Sequence, residues 1–145
     1  MPPFTRLLIP DKLRAEVIAH AREVAPVECC GLLAGHICDG VGVVTARFAI
    51  ANELSSATDY LTNPRDMLFA FRAMRAAGTE LLAIYHSHPA SDPVPSARDL
   101  AGNTYGGSVV HLIVGLVREE AEVRGWWLAD GAYREAELVI PSPAS

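Results

Sequence analysis

Lysine is nearly absent from this chain: eleven of its twelve basic residues are arginine, and the one lysine is Lys12. No basic run exists, which argues against a nucleic-acid footprint. Acidic groups outnumber basic ones by 17 to 12, and the resulting charge of −5 favours solubility without pointing to a substrate. Cysteine is scarce and odd in number. Cys29, Cys30 and Cys38 make a poor disulfide framework, and reduced thiols in a cytosolic protein are the simpler reading. Long hydrophobic runs are missing too. The longest, Val109 to Val117, contains His111 and falls far short of the roughly 20 residues a membrane span needs. The start of the chain shows no charged segment leading into an apolar one, so no signal peptide is expected. The expectation is a soluble, cytoplasmic protein with no nucleic-acid or membrane partner.

What is present suits one globular domain. The chain has 145 residues, half of them hydrophobic and a fifth charged. That balance excludes disorder over most of the chain. The length excludes a (β/α)8 barrel, which needs roughly 250 residues. A single domain over residues 1–145 is expected, with a core over about 5–140 and a frayed tail at 141–145.

The pattern of residues predicts the elements. Asp11 to Ala25 reads as an amphipathic helix with Leu13, Val17, Ala21 and Val24 on one face, stopped by Pro26. Glu28 to Gly35 suits a buried strand. Asp39-Gly40 is a turn signal, and Val41 to Ile50 a β-branched strand, so the two form a hairpin. Asn63-Pro64 opens a second helix with Asp66 in its first turn. Leu68, Phe71 and Met74, with Met67, form its apolar stripe, and Gly78 closes it. Leu81 to Tyr85 is a buried strand, and the three prolines within His86 to Pro95 predict a loop. Ser96 to Ala101 starts a short helix. Val109 to Val117, Val123 to Ala129 and Tyr133 to Ile140 complete the sheet, with Asp130-Gly131 turning the last hairpin. The order β-α-β-β-α-β-α-β-β-β describes an α/β (α+β) fold, a mixed sheet with helices packed on it.

One stretch carries chemistry: His86-Ser-His88-Pro-Ala-Ser-Asp-Pro-Val-Pro-Ser96-Ala-Arg-Asp99. His86 and His88 are two apart at the end of a strand, so their side chains share a face while Ser87 turns away. Two imidazoles on one face can grip a metal ion. A catalytic zinc takes three protein ligands and keeps one position open, and Asp99 can supply the third. Ser96 and Asp99 also have the spacing of a capping box. The two readings are compatible, since the cap can fix the helix that presents Asp99. A hydrolytic zinc wants a general base for its water. Glu28 is the candidate. It stands alone beside an apolar strand, and it either serves the site or is solvated at the strand's mouth.

These residues resemble the JAMM (MPN+) metalloprotease family, whose pattern is Glu…His-x-His-x10-Asp with Ser-x-x-Asp inside it. Ten residues, Pro89 to Arg98, separate His88 from Asp99. Glu28-Cys-Cys-Gly is similar to the Glu-x-x-Gly strand of that family. The likeness extends over about residues 5–140. It implies that His86, His88 and Asp99 hold one zinc, that Glu28 shuttles a proton from water to the leaving amine, and that Ser96 hydrogen-bonds the oxyanion. Other metal patterns fit worse. The metallo-β-lactamase pattern fails at Ala90 and Ser91, and the His-Glu-x-x-His helix is absent.

The remaining singles are expected to be structural. Cys30 would share the face of Glu28 and neighbour the cleft, with bulky thiol reagents there impairing activity. His20 is expected to be solvated on its helix, and His111 to be a hydrogen-bonded core histidine. Trp126 and Trp127 place one ring on each face of a strand, one in the core and the other at the surface or shielded. The loop holding Tyr60 either flanks the cleft or is simply a loop.

The resemblance also implies a substrate. The chain is close to a minimal domain and is similar to small prokaryotic members that process ubiquitin-like sulfur carrier proteins. These cut after a C-terminal Gly-Gly, releasing an amino acid such as cysteine or trimming extra residues. Two other functions stay open at this point: a zinc peptidase (or deubiquitinase-like isopeptidase) of general peptides, and a non-catalytic scaffold of the same fold.

Overall fold

In the computed structural model, which describes residues 2–139 and 141, seven strands and three helices follow the expected order. They are β1 (Arg6–Leu8), α1 (Asp11–Val24), β2 (Cys30–Cys38), β3 (Val41–Ile50), α2 (Pro64–Ala77), β4 (Glu80–His88), α3 (Ala97–Ala101), β5 (Val110–Gly115), β6 (Glu122–Ala129) and β7 (Ala132–Val139). The sheet is mixed, as the sequence implies. It also closes, in the order β1-β3-β2-β4-β5-β6-β7 with β1 pairing back onto β7. The expected end of the last strand at Ile140 and the expected frayed tail over residues 142–145 lie outside the described residues.

Local signals explain most element ends. Asp39-Gly40 and Asp130-Gly131 both take positive φ, the geometry of tight hairpin turns. Asn63 accepts a hydrogen bond from the Asp66 amide at the start of α2, and Gly78 ends that helix in the left-handed region. Several boundaries differ from the sequence reading. α1 ends at Val24 rather than Ala25. β4 runs through His88, because the first proline that can stop it is Pro89. β2 begins only at Cys30, so Glu28 and Cys29 precede the strand. The Glu28 amide there donates to Ser56 O at 2.7 Å, outside the regular ladder.

The sheet has two apolar faces. On one, α1 lays Val17 and Ala21 against Leu33, Leu82, Tyr85 and Leu112. On the other, α2 buries Ala70 and Met74 against Cys30, Leu32 and Ile84. A third cluster of Ile113, Trp126 and Leu128 receives Val94 and Leu100 from the proline loop and α3. Trp127 belongs to the first face and Trp126 to the third cluster, and both are buried. Trp126 is shielded by Arg124 over its ring and by Tyr133 at its edge.

The expected apolar stripe of α2 requires correction. Met67, Ala70 and Met74 form its inner face, whereas Leu68 and Phe71 point outward and are exposed. His20 is not solvated either. Its Nδ1 lies 2.7 Å from the hydroxyl of buried Tyr85, which also accepts from Arg47 at 3.1 Å. Tyr85 reaches this position because Gly31 leaves room. A Cβ on Gly31 would stand 2.2 Å from the tyrosine ring.

Candidate metal centre

Strand alternation places His86 and His88 on the face between α2 and α3. Ser87 faces the other way, where its Oγ accepts from the Cys29 amide at 2.8 Å. This bond pins β4 to the segment that carries Glu28. Beyond β4, the chain crosses β5 at Gly115. A Cβ there would meet Pro93 at 2.6 Å, so glycine lets the proline loop close over the strand. Trp126 Nε1 donates to Pro93 O at 2.9 Å and fixes the loop. The loop then delivers Ser96 as the N-cap of α3, with a full capping box. Ser96 Oγ accepts from the Asp99 amide at 3.1 Å, and Asp99 Oδ2 accepts from the Ser96 amide at 2.8 Å.

The fold thereby brings His86, His88 and Asp99 together. Their ligand atoms lie within 4.8 Å of one another, the one such group among the described residues. His86 Nε2 stands 3.2 Å from His88 Nε2 and 3.1 Å from Asp99 Oδ1. His88 Nε2 stands 3.2 Å from Asp99 Oδ2. At a zinc–nitrogen bond of about 2.0–2.1 Å, the corners of a tetrahedron are about 3.3–3.4 Å apart. The spacing of this set fits such an ion. Behind the ligands, His88 has a hydrogen-bond partner, whereas the buried Nδ1 of His86 has none among the described residues. His88 Nδ1 lies 2.9 Å from Asp92 O and donates to it, which leaves Nε2 with its lone pair toward the centre. His86 is held from above by Tyr60, whose ring stacks on it at 4.8 Å.

The electrostatics favour positive charge at this point. Burial alone would raise the Asp99 carboxyl, but the bonds from His86 and His88 outweigh it and hold it far below the usual range. Burial opposes protonation of His88, yet its bonds to Asp99 and the Asp92 carbonyl raise its pKa. A metal ion supplies the same charge without protons.

Glu28 lies nearby in an environment of the opposite kind. It is 3 % exposed, and its Oε1 is buried without a hydrogen-bond partner among the described residues. Burial pushes its carboxyl up to about 8. His88 opposes the rise, and the carboxylates of Asp99 and Asp59 add to it. The solvated reading of Glu28 does not fit this burial. A carboxyl poised near neutrality beside a metal-ligand set suits proton transfer.

Two contributors leave no mark in the sequence. Asn52 ties the Tyr60 loop to Glu28, its Nδ2 donating to Glu28 O at 3.0 Å and Asp59 O at 3.2 Å. Asp92 meets His88 through its carbonyl, which no side-chain pattern reveals. His111 is buried as expected, but its Nε2 has no hydrogen-bond partner among the described residues. It lines a cavity of about 220 Å³ with Asp99, Tyr60 and Leu61.

Cys30 pairs in register with His86 across β2 and β4. It is fully buried, its thiol donates to Ile50 O at 3.4 Å, and burial first, then neighbouring Cys29 and Glu28, pushes its pKa to about 12. It walls the site and is closed to reagents. We expect a maleimide to label the native protein at exposed Cys38 and to reach Cys29 and Cys30 only on unfolding. Peptide mapping checks this. Rapid native labelling of Cys30 would contradict it.

Comparison with known proteins places the chain in a family. The chain is 35% identical over 139 residues to a desampylase of Pyrococcus furiosus, covering 94% of this chain and 92% of that one. It is 32% identical over 134 residues to the CysO-cysteine peptidase of Mycobacterium tuberculosis, covering 92% of this chain and 90% of that one. A solution structure of a protein from Desulfitobacterium hafniense superposes with a TM-score of 0.84 at 29% identity, covering 95% of this chain and 94% of that one. Residues 10–129 match the family of prokaryotic homologues of the JAB domain, and the chain belongs to that family.

Proposed function

We propose that this protein is a zinc-dependent peptidase that cuts after the C-terminal Gly-Gly of a ubiquitin-like sulfur carrier protein. The observation that carries the catalytic part is the juxtaposition of two kinds of group. Three ligand atoms are spaced for one ion, and beside them is a buried carboxyl with an unpartnered oxygen. The carrier part is supported by relatives named desampylase and CysO-cysteine peptidase, which match over nearly their full length.

His86, His88 and Asp99 would hold the ion. When bound, zinc supplies Lewis acidity, polarising a carbonyl oxygen and acidifying a water. Glu28 takes a proton from the attacking water and returns it to the leaving amine. Burial in the metal-free site raises its carboxyl pKa, so the group readily holds the proton it accepts. Ser96 uses its Oγ as an acceptor for the Asp99 amide, so its O–H remains free to donate to the substrate oxygen as charge develops there. The capping box holds Ser96 and Asp99 in fixed relation, so the oxyanion donor and one ligand move as a unit.

A carrier extended beyond its Gly-Gly, assayed against a short peptide of the same tail, tests the substrate class. Preferential cleavage of the carrier is expected, and equal cleavage of both would remove the carrier from the proposal. For Ser96→Ala, kcat should fall by about 10²-fold, the usual cost of one oxyanion donor, with a smaller rise in KM. Ser96→Thr keeps both hydroxyl and cap and should retain most activity. An unchanged kcat in Ser96→Ala would end that role.

A further inference from the structure

The two histidines of the metal set are not held alike. Each turns Nε2 toward the centre, His86 at 3.1 Å and His88 at 3.2 Å from an oxygen of Asp99. An imidazole that offers its Nε2 lone pair to an ion carries its proton on Nδ1. A ligating histidine ordinarily donates that proton to a carbonyl, a carboxylate or water, and the bond fixes the ring. His88 has such a partner in Asp92 O. His86 has none: its Nδ1 is buried without a partner among the described residues, and the residue is 1 % exposed. Its in-register neighbours on the sheet do not replace the bond. Across β2 stands Cys30, whose thiol is engaged with Ile50 O, and across β5 stands the alkyl side chain of Ile113.

An aromatic face meets His86 instead. The Tyr60 ring lies 4.8 Å from it, centroid to centroid, with 26° between the planes, a stacked geometry. Tyr60 comes from the loop between β3 and α2, and Asn52 sets its place there. Asn52 Nδ2 donates to Asp59 O at 3.2 Å, and Asn52 Oδ1 accepts from the Leu61 amide at 3.0 Å. One side chain thus holds the residues on both sides of Tyr60, and the same Nδ2 donates to Glu28 O at 3.0 Å. Tyr60 also packs against the cluster that contains Cys30, Leu32 and Ile84. We infer that Tyr60 is a positioning residue for the metal ligand His86, its ring face fixing this histidine as the Asp92 carbonyl fixes His88. The inference rests on the reading that His86, His88 and Asp99 hold one zinc. Binding an ion costs the freedom of each ring that ligates it. A stacked ring gives up that freedom when the chain folds, so the ion finds Nε2 already aimed. The ring face does this without the hydroxyl. Phenylalanine should therefore serve as well as tyrosine, and an aliphatic side chain should not.

The test is the zinc dissociation constant of the full chain, read by competition with a chelator, for the wild type, Tyr60→Phe, Tyr60→Leu and Tyr60→Ala. Each protein is measured well below the unfolding temperature of its metal-free form, so a loss of stability alone does not move the constant. Tyr60→Leu keeps apolar bulk in the loop and guards against a fold lost by truncation. Tyr60→Phe should match the wild type. Tyr60→Leu and Tyr60→Ala should bind zinc about 10–100-fold more weakly, the usual cost of removing a group that orients a ligand. Wild-type affinity in both aliphatic variants would overturn the inference and leave the zinc site standing. If those variants instead showed only a raised KM, the ring would belong to substrate binding and the positioning role would fall. Equal weakening in Tyr60→Phe and Tyr60→Ala would also overturn it, by shifting the role to the hydroxyl. Tighter binding in Tyr60→Ala would do the same, because water admitted to Nδ1 would then orient His86 better than the ring does. A wild type that binds no zinc would overturn the metal reading and this inference together.

Discussion

Glu28→Gln should abolish turnover and at the same time stabilise the metal-free protein at alkaline pH. Loss of a general base typically costs 10²–10⁴-fold in kcat, and zinc content should not change because Glu28 is not among the three ligands. The stability effect follows from the buried carboxyl. Its folded pKa is raised from 4.5 to about 8, so the fold favours the protonated form. The associated stability is fully present below pH 4.5 and is lost as pH climbs through about 8. A tenfold change in proton affinity corresponds to about 1.4 kcal/mol, so the loss amounts to a few kcal/mol. Glutamine is neutral throughout and fills the same space. Thermal unfolding of the metal-free variant should therefore depend less on pH than that of the wild type. Its Tm should exceed the wild-type value by several degrees at about pH 8.5 and by little at about pH 5. Matching Tm–pH curves for the two proteins would mean that Glu28 is solvated after all, and would remove it from the mechanism.

This pairing of lost activity with gained stability shows why the site is legible in the sequence. A carboxylate between a helix-stopping proline and an apolar strand violates the usual rule for burial, and such violations concentrate where chemistry needs them. The histidines are legible because strand alternation is local. Two residues apart on β4, they have to share a face. The ends of α2 are legible for the same reason, since Asn63, Pro64, Asp66 and Gly78 act within one turn. What stays hidden depends on residues far apart in the chain. Closure of the sheet relies on the three-residue strand β1 pairing with β7, and no local pattern encodes that contact. The hydrogen bonds from Asn52 to Glu28 and between His20 and Tyr85 likewise join segments that only the fold brings together. The inner face of α2 differs from the expected stripe because apolar residues cover most of the helix surface, so periodicity alone does not select a side.

His88→Ala should remove the metal and, with it, the activity. Mass spectrometry of protein prepared without a polyhistidine tag should find about one zinc per wild-type chain and none in the variant, because a catalytic site built from three ligands does not hold its ion with two. Added zinc should raise the wild-type Tm, since an ion that binds only the folded state stabilises it by mass action, and should leave the variant unmoved. Asp99 needs a different substitution, because it serves the helix as well as the ion. Its Oδ2 accepts from the Ser96 amide while both oxygens face the histidines. Asp99→Asn retains an oxygen for the capping box but loses the negative charge that a dication requires. That variant should fold with α3 intact, lose zinc, and show no turnover. If Asp99→Asn instead kept full zinc and activity, the aspartate would be a cap alone. Metal missing from the wild type even after zinc is added back would take the hydrolase mechanism with it and leave the fold as a binding scaffold.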